Sequence, residues 1–296
     1  VGRAEAAFSK HFEKKYSTGF VNGTGTLHTA LEALGIGPGD EVLVPPLTMS
    51  ATAFSVLQAN ATPVFADVDP LTFQIDSKSI VDRISDKTKA VMSVALYGGS
   101  PDYAAIKQAI GGVPLIEDNA EAFGTKYHGE EIGSLGIFSS YSFQSSKHLS
   151  SGEGGMLCTD SLEFADKARK FQSLGYRAVG ATTHKIDKKD IQDPEYLRHE
   201  VLGWNYRMSD LTAGVVLGQI ERSRELIEIR KSVGKQIFDQ VTDISWLRPQ
   251  AIHEGSEHSF WAAPILLERD DVTWKQFRDK FMSFGGKGIY AAWQLS

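Results

Sequence analysis

Three short stretches of the 296-residue chain set reactive side chains among small ones. The run Ser142-Phe143-Gln144-Ser145-Ser146-Lys147 is followed by Gly152-Glu153-Gly154-Gly155. It places a lysine in a loop of small and polar residues between two apolar segments, off any solvated helix face. A salt-bridging lysine needs no such surroundings. A lysine that attacks a carbonyl and forms an imine needs close backbone approach and a lowered proton affinity. The plainer alternative is a surface turn.

The stretch Ile116-Glu117-Asp118-Asn119-Ala120-Glu121 ends an apolar run. Ligands of open α/β sheets sit outside the carboxyl ends of strands, where an acidic residue can hold a ring nitrogen protonated. A helix cap after a strand reads equally well from these residues alone. The stretch Asn22-Gly23-Thr24-Gly25-Thr26-Leu27 leads straight into a helical pattern. Small residues let backbone N–H groups approach an anion, and a helix N-terminus adds a positive partial charge. By itself this is also an ordinary N-capped helix start. A fourth stretch, Gly203-Trp204-Asn205-Tyr206-Arg207-Met208-Ser209, precedes a second helical pattern and says little about chemistry on its own.

Other chemistries find less support. Gly23-Thr24-Gly25 lacks the third glycine of a dinucleotide fingerprint, since His28 stands there. Gly285-Gly286-Lys287-Gly288 is not a phosphate-binding loop, the eight histidines form no pair at metal-ligand spacing, and no Gly-x-Ser-x-Gly elbow occurs. No metal ligand is assigned. A phosphate cradle, a carboxylate for a pyridine nitrogen and an imine-forming lysine together describe a site for pyridoxal 5′-phosphate (PLP).

These residues need elements to carry them. Residues 1–16 place Ala4, Phe8, Phe12 and Tyr16 four apart, which predicts an amphipathic helix. Apolar strands then alternate with helical stretches. Strands are expected at 42–44, 62–68, 89–96, 113–117, 137–143 and 155–159, and helices at 26–34, 48–60, 77–84, 102–110 and 162–174. That alternation argues for an α/β domain with a mostly parallel sheet. Residues 181–200 are polar, mixed in charge and interrupted by Pro194, which predicts a surface loop. Ser209 is expected to cap one long helix running to about Val241. Short β-like runs, including 260–267, and a helix at 274–284 follow.

Composition sets the outer bounds. At 42% hydrophobic and 23% charged residues the chain is of globular type. A net charge of -6 disfavours generic binding to nucleic acid or anionic membrane. The apolar runs are too short to span a bilayer, and the single cysteine, Cys158, excludes an intrachain disulfide and fits a reducing, cytoplasmic setting.

The motifs, in this order, resemble those of the DegT/DnrJ/EryC1/StrS family of PLP-dependent sugar aminotransferases, within the aspartate aminotransferase superfamily. The likeness also runs through Gly37-Pro38-Gly39-Asp40-Glu41-Val42 and Pro63-Val64-Phe65-Ala66-Asp67-Val68. It implies a PLP-dependent transferase fold: a large domain with a mostly parallel central sheet and helices on both faces, then a smaller C-terminal α/β domain. The expected division is 1–208 for the large domain, 209–243 for an interdomain helix and 244–296 for the start of a truncated small domain, because family members extend further at both ends. Residues 1–205 are expected to hold almost the whole cofactor site.

By resemblance, Lys147 matches the lysine that bonds the cofactor and later shuttles the proton. Asp118 matches the carboxylate paired with the pyridine nitrogen. Glu121 falls near the cofactor's O3′ side. Thr24 and Gly25 match backbone amides at the phosphate, with Ser142 a hydroxyl donor there. Asn205 matches an asparagine that reaches the neighbouring subunit's cofactor, which implies a homodimer. Met49 stands where many members stack an aromatic residue on the ring, and Ala95 where many have histidine. The implied reaction is ping-pong transfer of an amino group, from glutamate or glutamine, to a nucleotide-linked keto-deoxysugar. Amination of a keto-cyclitol or keto-acid sugar, sugar dehydration, and PLP binding without turnover are the alternatives. Dehydrating members carry histidine at the lysine position, so Lys147 argues against that branch.

Overall fold

The computed structural model describes residues 1–183 and 188–289. In chain order the elements are α1 (Gly2–His11), β1 (Tyr16–Phe20), α2 (Gly23–Ala33), β2 (Glu41–Val44), α3 (Ala51–Gln58), β3 (Thr62–Phe65), α4 (Ser77–Arg83), β4 (Thr88–Val94), α5 (Tyr103–Ile110), β5 (Leu115–Asp118), β6 (Lys126–Tyr127), β7 (Glu130–Glu131), β8 (Phe138–Ser142), β9 (Gly155–Thr159), α6 (Leu162–Gln172), α7 (Lys188–Gln192), α8 (Asp210–Glu221), α9 (Ser223–Val241), β10 (Leu247–Pro249), β11 (Ser256–Glu257), β12 (Ile265–Leu267) and α10 (Trp274–Ser283).

Seven strands form one sheet in the order β1-β9-β8-β5-β4-β2-β3. Every pairing is parallel except those of β9, which runs against both neighbours. Alternation along the strands sends side chains to the sheet's two faces. Val42, Val44, Met92, Ile116 and Leu157 pack with residues of α2, α3 and α6. Leu43, Val91 and Leu115 pack with residues of α4 and α5, while Met156 and Cys158 pack with α1 and α8. Both faces are therefore covered, as a sheet of near-continuous apolar strands requires.

The sheet sets the site's location. The carboxyl ends of β1, β2, β4, β5 and β8 all lie at one edge, and β9 begins there, with Gly155 paired to both Phe20 and Ser142. Gly155 has a steric reason. A Cβ on it would sit 2.5 Å from the backbone oxygen of Asn22, so only glycine lets the start of α2 settle on the sheet.

Three expectations are corrected. The helix expected over 1–16 stops at His11, because Phe12 leaves the helical region and Glu13 takes a positive φ of 53°; Tyr16 then opens β1, the central sheet's edge strand. The single long helix expected from Ser209 is two, α8 and α9, divided at Arg222. Ser209 does cap the first, its Oγ accepting from the Thr212 amide at 3.1 Å. The break has a cause in Ser223, which is fully buried. Its hydroxyl donates to the Ile220 carbonyl and accepts from His11 Nε2, both at 2.7 Å, so a side chain anchors the chain at the turn. Within the loop expected at 181–200 lies the short α7; residues 184–187 of that loop fall outside the described residues. Beyond β9 and α6, the chain forms α8, α9, the two-stranded β10–β12 sheet and α10. No helix among the described residues is long and apolar enough to cross a membrane.

Candidate active site

Asp118 and Glu117 are consecutive at the end of β5 and so face opposite ways. Glu117 accepts the backbone amides of Gly133, Leu135 and Gly136 at 2.7, 2.8 and 2.6 Å, which makes it the anchor of that loop. Asp118 points to the other side. Its Oδ2 accepts from Thr52 Oγ1 at 3.0 Å and its Oδ1 from the Ala120 amide at 3.2 Å. Thr52 is in turn bonded to Thr48 Oγ1 at 2.9 Å. Burial pushes the Asp118 carboxyl above its ordinary range, opposed by those two donors and by the charge of Lys147. A carboxylate so placed would be relieved by a further cationic N–H donor, which a protonated pyridine nitrogen is.

Lys147 Nζ donates to Glu121 Oε1 at 3.0 Å. The pair is buried, with side-chain exposures of 11% and 4%, and Nζ also lies 4.6 Å from the centre of the Trp261 ring. Burial raises the Glu121 carboxyl, and Lys147 opposes this with the Tyr97 amide, which donates to Glu121 Oε2 at 3.1 Å. That last bond requires an unusual backbone. Tyr97 sits at a φ of 63°, followed by Gly98 at 97°, where a Cβ would meet the Phe260 amide at 2.7 Å. A tyrosine held in the left-handed region beside a buried ion pair is local strain that the surrounding packing has to maintain.

At the start of α2, Asn22 Oδ1 accepts from the Gly25 amide at 2.8 Å. This divides the pair expected at the phosphate. The Gly25 amide is occupied by the cap, whereas that of Thr24 stands at the open helix end with no intrahelical acceptor. Ser142 ends β8 and is buried; a Cβ on Gly23 would come within 3.0 Å of Ser142 Cβ, so glycine lets the start of α2 pack against Ser142. Met49 is 56% exposed and does not lie buried over the site. Asn205 is exposed and bridges Ser173, away from the hydrogen bonds around Lys147.

Four residues here escaped the sequence reading: Thr52, Tyr97, Arg230 and Trp261. Only Thr52 left a signal, as a threonine four residues after Thr48 in a stretch the sequence reads as helical; in the structure Thr48 lies just before α3 and Thr52 within it. Arg230 donates to the carbonyls of Ser146, Lys147 and Trp261 at 3.1, 3.0 and 3.3 Å, and Trp261 Nε1 donates to Ser146 O at 3.0 Å. The expectation that residues 1–205 hold almost the whole site is thus too narrow. A groove of about 720 Å³ lined by Lys14, Glu131, Arg224 and Lys231 involves none of these groups.

The model of the DegT/DnrJ/EryC1/StrS aminotransferase family matches residues 1–288. The chain belongs to this family. It is 32% identical over 289 residues to GDP-perosamine synthase of Vibrio cholerae, covering 96% of this chain and 73% of that protein. It is 39% identical over 268 residues to GDP-perosamine synthase of Caulobacter vibrioides, covering 89% and 68%. Among solved structures, the E. coli GDP-4-keto-6-deoxy-D-mannose-3-dehydratase with bound hydrated PLP superposes with a TM-score of 0.87 at 25% identity, covering 96% of this chain and 75% of that one. The fold is that of the PLP-dependent aminotransferases, and PLP is the cofactor. The residues present fit it: a buried carboxylate with capacity for an N–H donor, a half-buried lysine, and an open helix end beside a serine.

Proposed function

We propose that this aminotransferase moves an amino group from glutamate to a nucleotide-linked keto-deoxysugar by a ping-pong route. The carrying observation is that one sheet edge brings half-buried Lys147 and buried Asp118 together beside the free end of α2. Relatives named GDP-perosamine synthase at 32% and 39% identity support the sugar class.

The cofactor, when bound, supplies an electron sink for the bond broken at the amino-bearing carbon. Asp118 holds a proton at the pyridine nitrogen, oriented by Thr52 and the Ala120 amide. Thr24 and Ser142 hold the phosphate. Lys147 Nζ removes and returns the proton at the substrate carbon, and Glu121 orients that amine. Asn205, exposed beside Trp204, reaches the cofactor of a second copy, so the active unit is a homodimer. The assignments of Gly25 and Met49 are narrower: Gly25 permits the cap, and Met49 borders the Thr48–Thr52 cluster. Residues 1–208 act as the cofactor domain, 209–243 as the connection and 244–296 as part of a small domain. A cytoplasmic setting accords with a single cysteine, buried and with no partner cysteine in the chain.

The test follows the visible absorption of the cofactor-loaded protein. Glutamate should bleach it, and a nucleotide-keto-sugar should restore it with formation of the amino sugar. Borohydride treatment should fix the cofactor on the peptide containing Lys147. Lys147→Ala should lose the band and turnover; full turnover in that variant would overturn the assignment.

A further inference from the structure

Arg230 lies on α9, far in sequence from the lysine loop, and its three acceptors are all main-chain carbonyls. No carboxylate pairs with it among the described hydrogen bonds and ion pairs, and burial lowers its proton affinity. A half-buried guanidinium retained without a counter-ion contributes little as a charge pair, but its rigid fork of donors can fix several carbonyls in one geometry.

Those carbonyls belong to the two segments that meet at Lys147. One is the lysine loop, through Ser146 and Lys147. The other is 258–262, through Trp261. Two further bonds close the same seam: Trp261 Nε1 to Ser146 O, and His148 Nε2 to Ser259 O at 3.0 Å. The outer side of 258–262 is tied to the strained turn after β4. The Ser259 amide donates to Gly98 O at 2.9 Å and the Ala262 amide to Tyr97 O at 3.3 Å. Tyr97 is the residue whose amide holds Glu121. A single strap therefore contacts both the loop that carries Lys147 and the turn that carries its carboxylate partner, and Arg230 fastens it.

We infer that Arg230 is a positioning residue for Lys147, acting through the strap 258–262 to hold the amine in register with Glu121 during proton transfer. The inference rests on the transaminase reading of the site. Its signature is specific. A misplacement of about 1 Å at a reacting group costs on the order of 10²-fold in rate while leaving ground-state binding nearly unchanged.

Two measurements test it. The first is single-turnover reaction of the cofactor-loaded protein with glutamate. Arg230→Met should lose roughly 10- to 100-fold in the rate at saturation, with half-saturation within about twofold of wild type. Arg230→Lys, which keeps the charge and one donor point, should recover part of that loss. The second is hydrogen–deuterium exchange of the cofactor-free protein. Arg230→Met should exchange faster at 144–152 and 258–262, with β4 and β5 unchanged. A rate at saturation equal to wild type in Arg230→Met overturns the inference. So does a loss accompanied by faster exchange across the central strands, which would mean a general folding role. If wild type itself shows no half-reaction with any amino acid, the transaminase reading fails, while the exchange pattern still decides whether Arg230 fastens the strap.

Discussion

The sheet that carries Asp118 and the stretch of chain after α9 are built to different standards. In β4, β5, β8 and β9 every residue but Lys89 is buried. In α10 none is, and Phe284 after it is 79% exposed. The exceptions in the later region are Leu247 and Gln250, at 9% and 2%, and 258–260, where His258, Ser259 and Phe260 are 4%, 0% and 9% exposed. Apart from Leu247, core-grade packing appears there where the chain meets the lysine loop and the turn after β4, to which Gln250 also bonds through Leu96 O. The first region is held by the cores on its own two faces, whereas the second is ordered where it meets the first.

Several substitutions would break or sharpen that contrast. The largest effect is expected from Asp118→Asn, which keeps shape and removes the charge that holds the pyridine proton. Turnover should fall about 10²- to 10⁴-fold, while the cofactor-free protein should become somewhat more stable at pH 7. Burial raises this carboxyl in the folded state, so its ionisation opposes folding as pH rises above the ordinary carboxylate range, and the asparagine removes that penalty. Steady-state kinetics and thermal melts at pH 7 check both halves.

Gly155→Ala should come next. Its methyl group meets a main-chain oxygen that has no room to yield, so a loss of about 3 kcal/mol or more in denaturant titration is expected, together with weaker cofactor binding. Gly234→Ala meets the Phe260 ring instead. The contact includes Phe260 Cβ and Cγ, which lie close to the main chain, so the strap itself must shift; the expected cost is about 2–3 kcal/mol, visible as faster exchange at 258–262.

Acid should act on the buried histidines, those of the seam and His28 on α2, which burial lowers to about 4. Burial lowers His148 and His258 to about 3. In the unfolded chain they titrate near 6.5, so their contribution to stability is full above pH 6.5 and is lost as pH falls toward 3. The melting temperature should drop between pH 7 and pH 5, and the drop should be smaller in His148→Gln. The smallest effect belongs to Phe284→Ser, within about 0.5 kcal/mol, since that ring packs on no core. A large loss there would show that the later region is more cooperative than its burial indicates.

How much of this was legible beforehand follows from range. Val42, Leu43 and Val44, or Leu115 and Ile116, announce buried strands because both faces of a covered parallel sheet must be apolar. Asp118 announces chemistry because it ends an apolar strand, and Lys147 because it stands in a loop of small and polar residues. The ends of α1 and the division at Arg222 were missed because each depends on a contact between distant residues: His11 reaches Ser223 across the sequence, and no local pattern records it.

The same division holds for the site. The sequence by itself determined the α/β alternation, the family, the lysine and the carboxylate, since residue type and short-range spacing carry them. Only the tertiary structure decided that Gly25's amide belongs to the Asn22 cap, that Tyr97 lends Glu121 a strained amide, and that Arg230 and Trp261 fasten the lysine loop. The physical reason is that these interactions use main-chain donors and acceptors. Nearly every residue has the same ones, so the side-chain sequence cannot mark which of them will meet.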